Sequence, residues 1–138
     1  MKDEFNKGYM NKIELDKKLN HGEQWGYKKE TDNDEYLGWI LINKLPKLTF
    51  TPKREDYLEE SLYLIKIREA EKRQKTPYHV LIKELRRDVH ESGEYETGED
   101  IRQKDNYYFS YIDELEKFIE ELGYSFDNIK HRSEIDAP

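Results

Sequence analysis

Two stretches in the first half of the chain combine apolar, aromatic and β-branched residues in patterns that predict β-strands. They cover 24–28 and Tyr36–Lys44, and they flank the polar residues 31–34, whose side chains favour a tight turn. The second stretch is apolar on both faces, which is typical of a central strand. A short edge strand is expected at 48–51, between two prolines. We therefore predict a β-hairpin with a further strand beside it.

Residues 57–91 are compatible with two different structures. Alternating apolar positions at 63–68 and again at 78–83 predict an antiparallel pair of strands joined through 71–76. The rival is a helix that begins at Thr76 and Pro77, a capping residue followed by proline at the first helical position. Its apolar face consists of Tyr78, Leu81, Ile82, Leu85 and Val89. The density of β-branched residues favours the strands.

The strongest helical pattern lies at 107–123. After a predicted strand end at 107–109, Ser110 is a candidate N-cap and Asp113 lies in the first turn. Apolar residues then follow at helical spacing and form one stripe: Ile112, Leu115, Phe118, Ile119 and Leu122. Gly123 is a natural C-terminal stop. We predict that this helix packs on one face of the sheet.

The ends of the chain carry weaker patterns. The segment 1–22 is interpreted as either a short helix, ending at His21–Gly22, or a mobile lead-in. The apolar face of that helix is formed by Ile13, Leu15 and Leu19. The tail is anchored by Phe126 and Ile129 alone, so 127–138 is a second candidate for mobility.

Together, these patterns predict a single α+β domain over 1–138. Its sheet is small and antiparallel, built as a hairpin plus a meander, and the C-terminal helix packs on one of its faces. A helical structure for 57–91 is the main alternative. The length of 138 residues suits one domain with its own core.

Composition supports an ordered, cysteine-free protein. Charged residues make up 40% of the chain, which raises the question of disorder, but the net charge is only -7. Two Trp, eleven Tyr and five Phe supply large apolar surfaces for a core. The absence of cysteine excludes disulfides, a thiol nucleophile and thiolate metal sites.

The apolar stretches point to a cytoplasmic protein. The N-terminus has no apolar core of the kind found in signal peptides, and the longest apolar stretch is far below the ~18 residues of a membrane span. We therefore expect no membrane partner. The excess of lysine (17) over arginine (7) is a hint of bacterial or phage origin.

Patterns that carry catalytic or metal chemistry are not found in the sequence. The four histidines are scattered, and no Ser has a G-x-S-x-G setting. Residues 32–34 resemble the start of a calcium loop but lack its glycine and its final glutamate. The glycines at 93 and 98 lie among acidic residues that repel phosphate. We expect neither an enzyme nor a cofactor.

Charge is divided unevenly along the chain. From residue 91 onward there are 14 acidic and 5 basic residues, a net charge of -9, whereas 1–90 has 17 acidic and 19 basic residues, a net charge of +2. Five of the eleven tyrosines fall between 95 and 124, inside the acidic part. Acidic residues accelerate encounter with a basic surface, and tyrosines are enriched at binding hot spots.

The favoured hypothesis is therefore a protein-binding module that engages a protein with a basic surface. Its proposed contact residues are Glu94, Tyr95, Glu96, Glu99, Asp100, Tyr107, Tyr108, Tyr111 and Tyr124. An inhibitor, immunity or anti-defence factor from a phage or other mobile element fits this size and composition.

Two alternatives remain open. The first is an accessory protein that binds nucleic acid through the basic segment 66–87. Its candidate residues are Lys72, Arg73, Lys75, Arg86 and Arg87. The second is a domain that binds a small molecule or forms an oligomer, such as a homodimer.

Overall fold

The chain folds around a five-stranded antiparallel sheet, and the computed structural model describes residues 11–46 and 52–138. The strands are β1 (Trp25–Lys29), β2 (Tyr36–Lys44), β3 (Tyr78–Arg86), β4 (Ile101–Phe109) and β5 (Lys130–His131). Their order across the sheet is β4-β3-β2-β1-β5. The described ranges also contain four α-helices: α1 (Lys12–Asn20), α2 (Glu60–Lys75), α3 (Arg87–Ser92) and α4 (Ile112–Glu121). The α+β prediction is confirmed.

Strands β1 and β2 form the predicted hairpin. Strands β2, β3 and β4 form a meander, but its last strand is β4, of which the sequence predicts only the end at 107–109. The connection between β1 and β2 is stabilised by Thr31, whose hydroxyl donates to the carbonyls of Asn33 (2.8 Å) and Tyr36 (2.9 Å). This is the turn chemistry that residues 31–34 predict. The predicted edge strand at 48–51 lies outside the described residues.

Strand β2 is the centre of the sheet and is buried on both faces, as its sequence predicts. Ile40 and Ile42 point to one face, which we call the helix face, and Trp39 and Leu41 point to the opposite face. All four side chains are at most 2% exposed. Side chains alternate between the faces of a strand, so two separate apolar clusters are formed.

The helix face is covered by α1 and α4. Leu15 and Leu19 of α1 and Leu115 and Ile119 of α4 are the buried residues of these helices. Helix α4 is the helix that the apolar stripe predicts, although Tyr111, not Ser110, is its N-cap. The backbone N–H of Tyr111 donates to Glu114 Oε1 at 3.1 Å, which satisfies one free donor at the helix start.

Other details at the ends of these helices agree with the sequence or correct it. Gly123 follows α4 with φ +93°, and Gly22 follows α1 with φ +84°, both in the left-handed region that favours glycine. Ile13 is 66% exposed, so the proposed apolar face of α1 is reduced to Leu15 and Leu19.

The opposite face is covered by α3 and by the last residues of the chain. Ile135 is buried against Trp39, Leu41 and Leu85, and the ring of His90 lies edge-on to Trp39 with centroids 4.8 Å apart. The predicted anchors Phe126 and Ile129 are also buried, on the helix face. The tail is thus fixed at three points, one more than its sequence suggests.

Residues 57–91 contain helix α2, strand β3 and most of helix α3, so neither interpretation is right throughout. The predicted strand at 63–68 is part of α2, because 12 of the 16 residues of this helix are good helix formers: Glu, Leu, Lys, Arg, Ala and Gln. The predicted strand at 78–83 is confirmed as β3, but it pairs with β2 and β4. Thr76 ends α2 instead of beginning a helix.

Candidate functional site

The acidic residues predicted to bind a protein lie in the loop between α3 and β4, and half of their charge is already paired. Glu96 accepts a 2.7 Å hydrogen bond from Lys83. Asp100 is bound by the backbone N–H and hydroxyl of Thr97, which hold the pKa of its carboxyl below the ordinary value. Glu94 and Glu99 are exposed to solvent.

The predicted tyrosines do not share one surface. Tyr107 and Tyr108 are neighbours in β4 and point to opposite faces: Tyr107 contacts Phe118 of α4, and Tyr108 stacks on His79. The ring of Tyr124 packs against the buried Tyr27 with centroids 4.8 Å apart. These three rings have structural partners. Tyr95 (98% exposed) and Tyr111 (70%) are the members that present most surface to solvent.

The predicted basic set is divided between two distant places. Lys72, Arg73 and Lys75 lie in the last turns of α2, whereas Arg86 and Arg87 lie at the far end of β3, about 26 Å away along the strand. Arg86 is paired with Asp88 at 2.7 Å, and Arg87 Nε donates to a backbone carbonyl. The five residues therefore do not form one nucleic-acid surface.

A feature that sequence reasoning missed is the long connection between β2 and β3. These strands are antiparallel neighbours paired up to Lys44 and Tyr78, a geometry that a two-residue turn can close. The next residues are still in register, since the N–H of Leu45 donates to the carbonyl of Pro77 at 2.7 Å. Residues 46–76 are thus an insertion that the pairing of β2 with β3 does not need.

The described part of this insertion contains a short 3-10 turn (Arg54–Asp56) and helix α2, and we call residues 54–76 the arm. None of the side chains of α2 is buried. Among the described elements, the helix packs appreciably only against that 3-10 turn. Its attachment to the sheet is at its C-terminal end, where Lys72 Nζ lies 4.3 Å from the ring centre of Tyr108. Among the described residues, the contacts of the arm with the sheet are therefore few, and its outer surface is left to solvent.

The exposed surface of the arm is strongly apolar in its N-terminal half. Leu58 is fully exposed, and Leu62, Leu64 and Ile65 are 49%, 45% and 48% exposed. Most of the stability of a helix in a protein comes from burial of one face, and an isolated helix of this length is marginal in water. Leu62 and Ile65 are neighbours on one side of the helix, and adjacent exposed apolar side chains of this kind are typical of a contact site.

Charge along the arm is polarised. The N-terminal part carries Glu55, Asp56, Glu59 and Glu60, and the last turn carries Lys72, Arg73 and Lys75. Among the residues that the structure describes, Arg68, Arg73 and Lys75 form no salt bridge. Acidic residues at the start of the helix and basic residues at its end stabilise the helix through its dipole. The exposed charges can also interact with a partner.

The most tightly packed charges belong to the sheet. Glu84 is buried on the helix face and receives hydrogen bonds from Lys29 and Arg102, and Arg102 also binds Asp32 at 2.6 Å. Burial alone raises the pKa of the Glu84 carboxyl, but the hydrogen bonds from Lys29 and Arg102 outweigh it and the net pKa lies below the ordinary value. All members are paired with one another, which indicates a structural network.

A cleft of about 860 Å³ lies beside the last turn of α2. Its lining includes Asn43, Arg73, Gln74, Tyr78 and Ser110. Within residues 11–46 and 52–138, no three His, Asp or Glu side chains are grouped to hold a metal ion. The same ranges contain no helix long and apolar enough to cross a bilayer.

Comparison with known proteins adds no further constraint. The sequence matches no protein-family model, and searches of curated proteins and of solved structures find no match either. The arguments on function therefore depend on the geometry of this chain alone.

Proposed function

We propose that this chain is a protein-binding module and that the arm is its contact element. The observation that carries the proposal is a 16-residue helix that buries no side chain and exposes three large apolar residues, Leu62, Leu64 and Ile65. Burial of apolar surface is the dominant favourable contribution to most protein–protein association. A protein surface can cover these side chains, whereas phosphate groups interact with cations and leave leucines in water.

The way the arm is attached supports the same function. A rigid sheet that carries an inserted recognition element is a common arrangement in binding proteins, because the element can vary without loss of the core. The pairing of Leu45 with Pro77 closes the sheet beneath the arm. Such a module acts by covering a surface of its target, as an inhibitor, immunity or anti-defence factor does.

The test is an affinity capture with variants of the arm. The parent chain is immobilised and compared with the triple variant Leu62→Gln, Leu64→Gln, Ile65→Gln, since glutamine keeps helix propensity and removes the apolar surface. The matched control is Glu69→Gln, Glu71→Gln, which introduces the same residue at exposed polar positions of the same helix.

We expect the parent and the control to retain a protein from the host extract that the triple variant loses. Circular dichroism and thermal melts of all three proteins should coincide, because none of the substituted side chains is buried. If the triple variant retains the same proteins as the parent, the arm is not the contact element and the proposal is wrong.

A further inference from the structure

We infer that the partner of the arm is a second copy of this chain, paired with the first through an antiparallel contact of two α2 helices. This inference rests on the proposed function, since it names the partner of the same surface. It is argued from the spacing of the exposed apolar residues and from the charges beside them.

The exposed apolar residues divide into a seam and a separate position. Leu62 and Ile65 are three residues apart in α2, the spacing of neighbouring a and d positions of a coiled coil, and Leu58 lies just before the N-cap Glu59. Leu62 and Ile65 lie about 60° apart around the helix, whereas Leu64 lies about 160° from Leu62. The seam can therefore be covered by one helix while Leu64 stays outside the contact.

The charges select an antiparallel arrangement of the two copies. In a parallel pair, the acidic residues Glu59 and Glu60 of both copies would lie side by side, and so would the basic residues of the last turn. In an antiparallel pair with Leu62 of one copy opposite Ile65 of the other, Glu59 lies beside Lys66 of the second copy. The two-fold axis repeats both contacts, so the surface is self-complementary.

The free arm provides what this contact needs. Within the described residues Lys66 pairs with Glu69 of its own helix, at 3.4 Å, and both side chains are about half exposed, so the lysine can turn to a new partner. Two apolar side chains of α2 from each copy, with Leu58 just before the helix, make a contact well below the usual ~800 Å² per partner, and association is expected to be weak. The dimer should form at roughly micromolar to millimolar chain concentration.

The first experiment measures mass against concentration by sedimentation equilibrium on the full chain. We expect the mass of the parent to rise from one copy towards two copies across this range. The double variant Leu62→Gln, Ile65→Gln should remain at the mass of one copy, and the matched control Leu64→Gln should associate like the parent. A parent that stays monomeric throughout, or equal losses in the variant and the control, overturns the inference.

A charge exchange tests the direction of the helices. Glu59→Lys and Lys66→Glu should each weaken dimerisation roughly fivefold, because each places like charges together twice in the dimer. The combined variant should recover the association of the parent, since every Glu–Lys contact is restored in the opposite sense. Absence of this recovery contradicts the antiparallel pairing.

The two proposals can fail separately. In one outcome the parent stays monomeric, but the triple variant of the arm loses a host protein that the parent captures. This result excludes a second copy as the partner and leaves the binding function of the arm intact. If the arm variants lose neither self-association nor capture of a host protein, both proposals are wrong.

Discussion

The indole N–H of Trp39 donates a 2.8 Å hydrogen bond to the backbone carbonyl of Ile135 and so ties the central strand to the C-terminal segment. Trp39 is fully buried and Ile135 is 8% exposed. The bond joins residues that are 96 positions apart in the sequence. The opposite face of the sheet therefore combines this buried polar contact with the apolar packing around it.

Replacement of Trp39 by Phe should lower the free energy of unfolding by about 2–4 kcal/mol. The substitution leaves the buried carbonyl of Ile135 without its donor and creates a cavity beside it. Trp25→Phe is the matched control, because the indole of Trp25 binds the exposed part of Glu23 and is only half buried. Urea unfolding measures both variants, and equal losses would contradict the importance assigned to the Trp39 bond.

Helix α4 should be most sensitive at its fully buried positions. Ile119→Ala is expected to cost about 3–4 kcal/mol, because Ile119 is completely buried between the helix and the sheet. Phe118→Ala should cost less, about 2 kcal/mol, since Phe118 is half buried at the edge between Tyr107 and Phe109. Thermal melts rank the two variants, and the reverse order would place Phe118 in the core instead.

Acid should destabilise the chain through Glu84. The pKa of its carboxyl is lowered in the folded state, so its contribution to stability is fully present above the unfolded value of 4.5 and is lost as the pH falls through the folded pKa. Glu84→Gln should cost about 2 kcal/mol at neutral pH, because Lys29 and Arg102 lose a charged acceptor.

The pH profile separates this charge effect from a packing effect. Below pH 4.5 the difference in unfolding free energy between the parent and Glu84→Gln should shrink as Glu84 takes up its proton. Denaturant unfolding at a series of pH values measures the difference. A gap that is independent of pH would assign the loss to packing of the amide.

The loop between α3 and β4, with Glu94, Glu96, Glu99 and Asp100, remains a predicted contact for a basic protein. It can be tested separately from the arm. Glu94→Gln with Glu99→Gln should slow association with a captured basic partner and flatten its salt dependence, because long-range attraction is reduced. Tyr95→Ala should mainly speed dissociation. The control is Glu120→Gln with Glu121→Gln, which removes the same charge from α4. Equal effects in the control would assign the change to net charge and not to the loop.

Replacement of residues 46–77 by Asn-Gly-Thr should leave the sheet intact. Positions 45 and 77 are already in register, Asn-Gly favours the two-residue turn of a hairpin, and the threonine supplies the backbone N–H that Pro77 lacks. We expect the free energy of unfolding to match that of the parent or to exceed it by up to about 2 kcal/mol, because a shorter connection costs less entropy to close. Urea unfolding and amide exchange in β2 and β3 provide the measurement, and loss of cooperative unfolding contradicts the expectation.

A helix that is apolar along one face and a strand that is apolar on both faces could be predicted from the sequence. The stripe of α4 and the apolar strand β2 each match a single periodicity, and both are where the sequence places them. The run 63–68 matches strand and helix patterns equally well over six residues. Its structure is decided by the helix formers that follow it, from Arg68 to the end of α2.

The arm could not be predicted to the same extent, because the exposure of a side chain depends on residues that are distant in the sequence. The sequence shows that Leu62 and Ile65 are apolar, but not that the strands around them pair without the insertion. Ile135 is a single apolar residue among polar ones and forms no pattern. The distance in sequence between β2 and β3 was an available signal, but the strands expected at 48–51 and 63–68 concealed it.

Because β2 pairs with β3 directly beneath the arm, the sheet and the arm are two structurally separable parts of the chain. Opposed residues of antiparallel strands lie about 5 Å apart, so the arm leaves and re-enters the sheet at what is effectively one point. A helical segment of another length or sequence, spliced between Leu45 and Pro77, would not change the register of any strand. The sheet could therefore display foreign helices while it keeps its own core, and new specificities could arise in the arm at no cost to folding of the rest.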